Sequence, residues 1–569
     1  MPGITLIYQQ DQIDTSFLKR TEAAIEKLPE VIILLREKQF LILKKGKENY
    51  PVCLIEQPDY MLLVEGKIYG LDILKDEVFR TYIEGLFHPN KKDTSLTYLR
   101  KLDGEFIIYL FNKITGKMIV VNDLMGRLPV YYSNSDPFII SRDIGLVQSL
   151  TGKLAFDEQG IYEYMRMGYP LGEKTLFANL YRLAPSSIIE LDIGFSLQSQ
   201  RISLEDWQEA GRGIKIHVEV LYEVFKQAVK DRLDAFEKPM LSISGGLDSR
   251  IIIGEIEKQK HKAAYESFLY KNTIIEADVK VVKQLCEIYK TQFGLTGLEE
   301  WSPEYFNELA DVKYGMNYLG MAFIIPFLKN MAQKYDVMLT GDGGDKTLAC
   351  LFPEKQLFDG GIDSQILKSN EVTTVRVCNQ IFNLNVADKE RKMRAHLNGY
   401  GYANMEFNYK HFLIFERAKN WLFEGEDRNR QYIWSTSPFY HPGFFKMVHS
   451  MDEHEKKNFK LYRSFTQLVN PELNNITNAN WGFPINHNRQ LKRLLFKQKV
   501  RQQIKSLMPE SRKKYHAPNE MVLAIKAQLK GGLEDSLRLN KSLNLNELSQ
   551  ESLFHILTLL KVATNMNDK

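Results

Sequence analysis

Six consecutive residues, Ser244-Gly245-Gly246-Leu247-Asp248-Ser249, have the residue types of an anion site. They follow apolar Met240-Leu241-Ser242-Ile243 and precede Arg250-Ile251-Ile252-Ile253-Gly254-Glu255-Ile256, a pattern that predicts strand, tight turn and helix. Adjacent glycines let the backbone bend where a Cβ would clash and turn N–H groups toward a ligand. Ser244 and Ser249 add hydroxyl donors, and the positive end of the following helix faces the loop, which suits phosphate oxygens. A carboxylate, Asp248, is costly inside such a site unless a Mg²⁺ bridges it to the phosphates. A second loop, Gly341-Asp342-Gly343-Gly344-Asp345, follows the apolar run Asp336-Val337-Met338-Leu339-Thr340. Taken singly, the first loop also reads as an ordinary glycine turn and the second as an acidic surface turn. Together they place two carboxylates, Asp248 and Asp345, where a pyrophosphate-bound Mg²⁺ would need them.

The elements that must hold these loops read as follows. Residues 1 to about 200 are rich in short β-favouring runs: Ile4–Tyr8, Phe40–Leu43, Tyr60–Val64, Glu105–Phe111, Lys117–Val121, Val130–Tyr132 and Phe138–Ser141. Asn112–Gly116 is a hairpin turn between two of them, and helices are predicted over roughly 16–27 and 158–166. An antiparallel α+β domain follows, with a connection near 193–213. Beyond it come a helix at Val218–Phe236, the first loop, a strand at Ala263–Phe268, an amphipathic helix at Ile275–Tyr289 and the strand of the second loop. Strands alternating with helices imply a parallel α/β sheet, where ligands bind beyond the carboxyl ends of the strands. Both glycine loops follow strands, so they can converge. From about 363 the chain is mostly helical.

Bulk composition bounds the function. The 569 residues allow two to four domains. A net charge of +4 against 75 basic and 71 acidic side chains argues against a dedicated nucleic-acid binder. Cys53, Cys286, Cys350 and Cys378 are widely separated and form no CxxC, so neither a zinc site nor a disulfide framework is implied. A reducing, cytoplasmic setting fits. No run of about eighteen apolar residues suggests a membrane span, and residues 1–8 lack signal-peptide features.

The loop Ser244–Ser249 is neither a Walker A motif nor a dinucleotide fingerprint. It resembles the pyrophosphate loop of the ATP-pyrophosphatase enzymes, which cleave ATP to AMP and pyrophosphate while adenylating a substrate. More of the chain, from residue 1 to about 520, resembles the asparagine synthetase family. Leu102-Asp103-Gly104-Glu105-Phe106 and Asn122–Tyr132 are similar to "LDGxFAF…RDxxGxxPLYY", and Gly168–Phe177 with Tyr181–Pro185 to the segment closing that domain. Ser437-Pro438-Phe439-Tyr440 resembles "RxPFLD", and Arg512–Pro518 the late lysine motif. The resemblance implies a class II glutamine amidotransferase-like domain over 1–205, with Ntn-hydrolase-like antiparallel sheets. It also implies an ATP-binding synthetase domain over 206–569, with an adenine nucleotide alpha hydrolase-like parallel sheet and a helical C-terminal extension.

By that resemblance, Ser244, Gly245, Gly246 and Ser249 would cradle pyrophosphate, and Asp248 and Asp345 would hold Mg²⁺. Leu241, Ser267 and Gly341 would line the adenosine pocket. Lys514 falls at the catalytic lysine, with Lys513 the alternative if the register slips by one. Asp342 is a second catalytic candidate, and Arg428 and Arg430 lie near an expected pyrophosphate-binding cation. The cofactors implied are ATP and Mg²⁺. The partners are a small-molecule or peptide carboxylate and an amine or ammonia donor, and a homodimer is compatible.

The sequence also departs from the family. The glutaminase nucleophile is an N-terminal cysteine, but Met-Cys-Gly-Ile here reads Met1-Pro2-Gly3-Ile4. The "NGEIYN" asparagine becomes Glu65, which sets the wrong charge against an oxyanion. Glutamine hydrolysis is therefore not expected. After Asp345 the family's glutamate becomes Lys346, and its later glycines are missing, which leaves aspartate unsecured as the acceptor. The expected activity is an asparagine synthase-like, AMP-forming amide ligase. A macrolactam-forming lasso-peptide cyclase is an alternative, and a non-catalytic nucleotide-binding pseudoenzyme is the alternative of another class.

Overall fold

A computed structural model describes the chain except residues 29, 48, 153, 193, 201, 213–215, 271–274, 299–301, 353–360, 488, 496, 498–518, 533–534, 541 and 569. The late motif containing Lys513 and Lys514 lies outside the described residues.

The N-terminal region is built from two six-stranded sheets, antiparallel throughout. One has Gly3–Tyr8 near its centre, between Phe138–Ser141 and Phe40–Lys45. The other is centred on Gly104–Asn112, flanked by Tyr60–Ile68 and Met118–Asn122. Strand alternation sorts the side chains into layers. Ile4, Leu6 and Ile42 meet Leu63, Tyr109 and Val120 between the sheets. Ile7, Leu41 and Ile139 face helices Thr15–Glu26 and Ile144–Thr151. Leu62, Ile108 and Ile119 face helices Glu77–Gly85 and Pro89–Leu99. The order is helix, sheet, sheet, helix. The hairpin at Asn112–Gly116 forms, with Gly116 at φ +73°.

The connection expected at 193–213 is not plain coil. It holds the strand Phe195–Ser199, which extends the second sheet, and the helix Leu204–Ala210 capped by Ser203. The boundary read at 205/206 thus falls within a helix. Beyond it lies a five-stranded parallel sheet in the order Gly294–Leu298, Ala264–Tyr270, Pro239–Ser242, Val337–Leu339, Trp434–Thr436. The rest of the C-terminal half is mostly helical and ends in Gln550–Asp568. No described helix is long and apolar enough to cross a membrane.

The two halves are joined through the helix Phe423–Arg430, in which Glu424, Glu426, Asp427, Arg428 and Arg430 are all buried. From the N-terminal half, Arg142 pairs with Asp427, Arg127 with Glu426, and Arg182 with Glu424 at 3.0 Å. Lys313 closes the group, 2.6 Å from Asp427 and 2.7 Å from Glu424. Burial opposes ionisation of Asp427, yet Arg142 and Lys313 outweigh it and hold its carboxyl below the usual range.

Removing one cation from such a cluster strands buried carboxylates. Lys313→Met is expected to cost about 3–5 kcal/mol in urea denaturation. Glu22→Gln, in a pair with Arg36 that is about half exposed on both sides, should cost under about 1 kcal/mol. Equal costs would mean that the interface is not electrostatically closed.

Candidate active site

The first loop sits where the sequence places it. Strand Pro239–Ser242 ends in the turn, and helix Asp248–Gln259 begins at Asp248. The turn is pinned from within. The Ser244 N–H donates to Ser249 Oγ at 3.1 Å, and that hydroxyl donates to the Ser244 carbonyl at 3.0 Å. Arg250, fully buried, donates to the carbonyls of Leu473, Ile476 and Thr477 at 2.9–3.0 Å and ties the helix to the following segment. The Gly245 N–H donates to the Asp278 carboxylate at 3.0 Å. A Cβ on Gly245 would lie 2.6 Å from that carboxylate and 2.7 Å from Ala479.

The second loop packs against the first. A Cβ on Gly341 would lie 2.8 Å from the Asp248 Cβ and 2.9 Å from the Ser249 nitrogen. Gly343 has φ +91°, and a Cβ there would lie 2.7 Å from the Tyr440 ring. These glycines therefore serve close loop-to-loop packing, and any approach to a ligand comes in addition. Ser437 Oγ donates to the Asp342 carbonyl at 2.5 Å, which ties the loop to the strand Trp434–Thr436 and the turn after it. The Tyr462 hydroxyl donates to the Asp248 carboxylate, and Lys346 pairs with Asp345.

Between the loops lies a cleft of about 300 Å³. Ser244, Asp248, Ser249, Gly341, Asp342 and Asp345 line it, as do Arg428 and Asn429. Its inner wall is apolar: Ile324, Phe327, Leu328 and Met338. Sequence reading did not find that wall, although strand alternation could have. Met338 lies on the opposite face of its strand from Val337 and Leu339, which belong to the core on the other side of the sheet. The same alternation decides where two of the expected adenosine-pocket residues point their side chains. Leu241 is fully buried in that other core, so only its backbone could meet a ligand, and Ser242 lines the cleft instead. Ser267 is buried in the neighbouring strand and is not among the cleft's described lining residues.

Of the two arginines, Arg428 reaches the cleft and Arg430 does not. Arg428 is buried with amide partners only, donating to Asn317 Oδ1 at 3.1 Å and Asn429 Oδ1 at 2.9 Å, and burial lowers it to about 10. Arg430 serves the domain seam, donating to the Ser435 and Arg127 carbonyls. Asp248 is pushed up to about 7, first by burial and then by the like charge of Asp345. Asp342 is pushed up to about 6, by burial and then by Glu426.

This chemistry fits the nucleotide and the metal. Asp248 and Asp342, raised first by desolvation and then by neighbouring negative charge, share the cleft with Asp345, a crowding that a divalent cation would relieve. The Ser249 proton is spent on the Ser244 carbonyl and the Gly246 N–H on Ser244 Oγ, so these donors would have to turn from the loop to meet a phosphate, and the apolar wall would suit a base. Among the described residues no group of three or more His, Cys, Asp or Glu could hold a metal, so Asp248 and Asp345 would share the ion with phosphate oxygens.

Pro2 and Glu65 lie apart from this cleft. Glu65 is buried and accepts from the Ile4 N–H at 3.2 Å and the Tyr50 hydroxyl at 2.6 Å. Pro2 lines a separate cleft of about 420 Å³ with Tyr50, Lys67 and Trp434, and no described residue lining it is a cysteine. The Cys53 thiol is pushed up by burial and by Asp72, against thiolate formation.

The geometry defines a pair of antiparallel sheets followed by a parallel sheet with a glycine-loop cleft at its strand ends. A family model described as a glutamine amidotransferase domain matches residues 45–200, and one described as asparagine synthase matches 220–443, together more than half of the chain. The chain belongs to the asparagine synthetase family, whose members are ATP-dependent amide ligases. No curated protein matches it. Among solved structures it is similar to the glutamine phosphoribosylpyrophosphate amidotransferase from B. subtilis complexed with ADP and GMP. That similarity is 10% identity over 52% of this chain and 90% of that chain, at a TM-score of 0.25, and carries no weight here.

The raised Asp248 carboxyl gives a pH prediction. The folded chain holds this proton up to about pH 7, while the unfolded chain releases it near 3.8, the ordinary value of an aspartate. Stability therefore falls as pH rises between those values. Asp248→Asn should stabilise the ligand-free protein by roughly 1–3 kcal/mol at pH 8 and by much less at pH 4 in chemical denaturation. An equal effect at both pH values would contradict the burial of an ionisable carboxylate here.

Proposed function

We propose that the protein adenylates a carboxylate with ATP, releasing pyrophosphate, and joins it to ammonia or an amine that it does not draw from glutamine. The observation that supports this most is the convergence of Ser244, Asp248, Asp342 and Asp345 from two strand-end loops on one cleft. In this reading Ser244, Gly245, Gly246 and Ser249 hold the departing pyrophosphate, and Arg428 adds a cation. Asp248 and Asp345 would hold Mg²⁺, whose charge would screen the phosphates. The strand ends at Ser242 and Gly341, with the Met338 wall, receive adenosine. Asp342, near neutrality, is placed to accept a proton from the attacking nitrogen. Lys514, by its place in the late motif, would stabilise charge as AMP leaves. The acid belongs to a small molecule or a peptide.

Pro2 and the buried Glu65 support the loss of glutaminase activity, since neither a thiol nor an oxyanion donor stands at those positions. The amidotransferase-like domain is then a structural partner that orders the helix Phe423–Arg430 behind the cleft.

The test is pyrophosphate release from ATP and Mg²⁺ with a panel of carboxylic acids and ammonium. Release that depends on the acid is expected, and Asp248→Ala should lower it at least about 100-fold with circular dichroism unchanged. Lys514→Ala should slow amide formation at least as much as adenylation. Glutamine should yield no glutamate above background. No release with any acid, together with no ATP binding, would remove the enzyme reading. Glutamate production would remove the reading of Pro2.

A further inference from the structure

Lys346 stands where the resembled family carries an acidic residue, directly after a proposed metal ligand. Its side chain is 8% exposed and ion-paired with Asp345, whose side chain is 59% exposed and lines the cleft. The lysine's charge also reaches Asp248, opposing the rise of that carboxyl. Its backbone belongs to the single helical turn Gly344–Thr347, held by Thr347 Oγ1 donating to the Gly343 carbonyl at 2.9 Å and to that of Gly344 at 3.1 Å. That turn fixes the backbone from which both side chains of the pair project. A cation that arrived alone would have to displace the ammonium from Asp345 while finding no group of three carboxylate, histidine or cysteine ligands among the described residues.

We propose that Lys346 is a resident counter-ion that makes metal binding depend on nucleotide. In the ligand-free protein it neutralises Asp345 and competes with a divalent cation. When the cation arrives on a nucleotide, the phosphates bring negative charge to the same cleft. Lys346 then exchanges its carboxylate for a phosphate oxygen, and Asp345 turns to the metal. Metal and nucleotide thus bind with strong positive coupling, and by linkage each tightens the other by the same factor. This rests on the nucleotide site proposed above.

The experiment is Mn²⁺ binding followed by electron paramagnetic resonance at pH 8. It compares the wild-type full chain with Lys346→Met, Lys346→Gln and Lys346→Arg, with and without a non-hydrolysable ATP analogue. The neutral variants should bind Mn²⁺ at least about 10-fold tighter than wild type without nucleotide. The gain should persist at 0.5 M salt, where charges not in contact are screened. Lys346→Arg should stay within about two-fold of wild type, and the coupling between Mn²⁺ and the analogue should shrink in the neutral variants. Two neutral variants guard against misfolding of either. Unchanged or weaker Mn²⁺ binding in both folded neutral variants, or an equal gain in Lys346→Arg, would overturn the proposal while leaving the nucleotide site standing. Failure of the wild type to bind Mn²⁺ even with the analogue would overturn the nucleotide site itself, and this proposal with it.

Discussion

The structure turns on one helix whose charges are almost all out of water. Phe423–Arg430 places Glu424, Glu426 and Asp427 against arginines that lie 242 to 299 residues earlier in the chain. Taking so many ions out of water is costly, and their mutual attraction repays it only when every partner is in place. The two halves of the chain therefore have to dock in one register. A shifted register would cost Arg127, Arg142 and Arg182 their partners on the helix, leaving Glu424 and Asp427 only Lys313, Glu426 only Arg430, and Arg127 only Glu105.

That register is passed to the cleft. The same helix carries Arg428 and Asn429 into the site's wall, and Glu426 is the charge that most raises Asp342 after burial itself. The segment that follows supplies the edge strand Trp434–Thr436, and Ser437 then holds the second loop by the Asp342 carbonyl. The amidotransferase-like domain thus has a structural use that does not require its own chemistry. Its Arg127 bridges Glu105 on one side and Glu426 on the other, so an N-terminal sheet is two ion pairs from the helix that carries Arg428 and Asn429 into the cleft.

The parts of the fold that were legible in the sequence are those with local signals. The alternation of Pro239–Ser242, Asp248–Gln259, Ala264–Tyr270 and Ile275–Tyr289 is written in periodicity and glycine placement, and the two loops lie where that pattern puts them. The helix Phe423–Arg430 could not be recognised as buried. A sequence reading Phe-Glu-Gly-Glu-Asp-Arg-Asn-Arg is polar on every face, which ordinarily means solvent, and its burial depends on partners with no mark in the local sequence. The short strand Trp434–Thr436 was missed for a similar reason, since three residues give no period. Leu241 shows another limit: a family role can belong to a backbone position, while the side chain follows strand alternation into the opposite core.

The chain departs from the resembled family at Pro2, where the family has its N-terminal cysteine, at Glu65, where it has an asparagine, and at Lys346, where it has an acid. The central claim is that ATP is split to activate a carboxylate, and isotope transfer tests it most directly. Carboxylic acids labelled with ¹⁸O in the carboxylate, incubated with the protein, ATP, Mg²⁺ and ammonium, should yield AMP carrying one ¹⁸O atom, read by mass spectrometry. Unlabelled AMP, or ADP and phosphate in its place, would contradict the account.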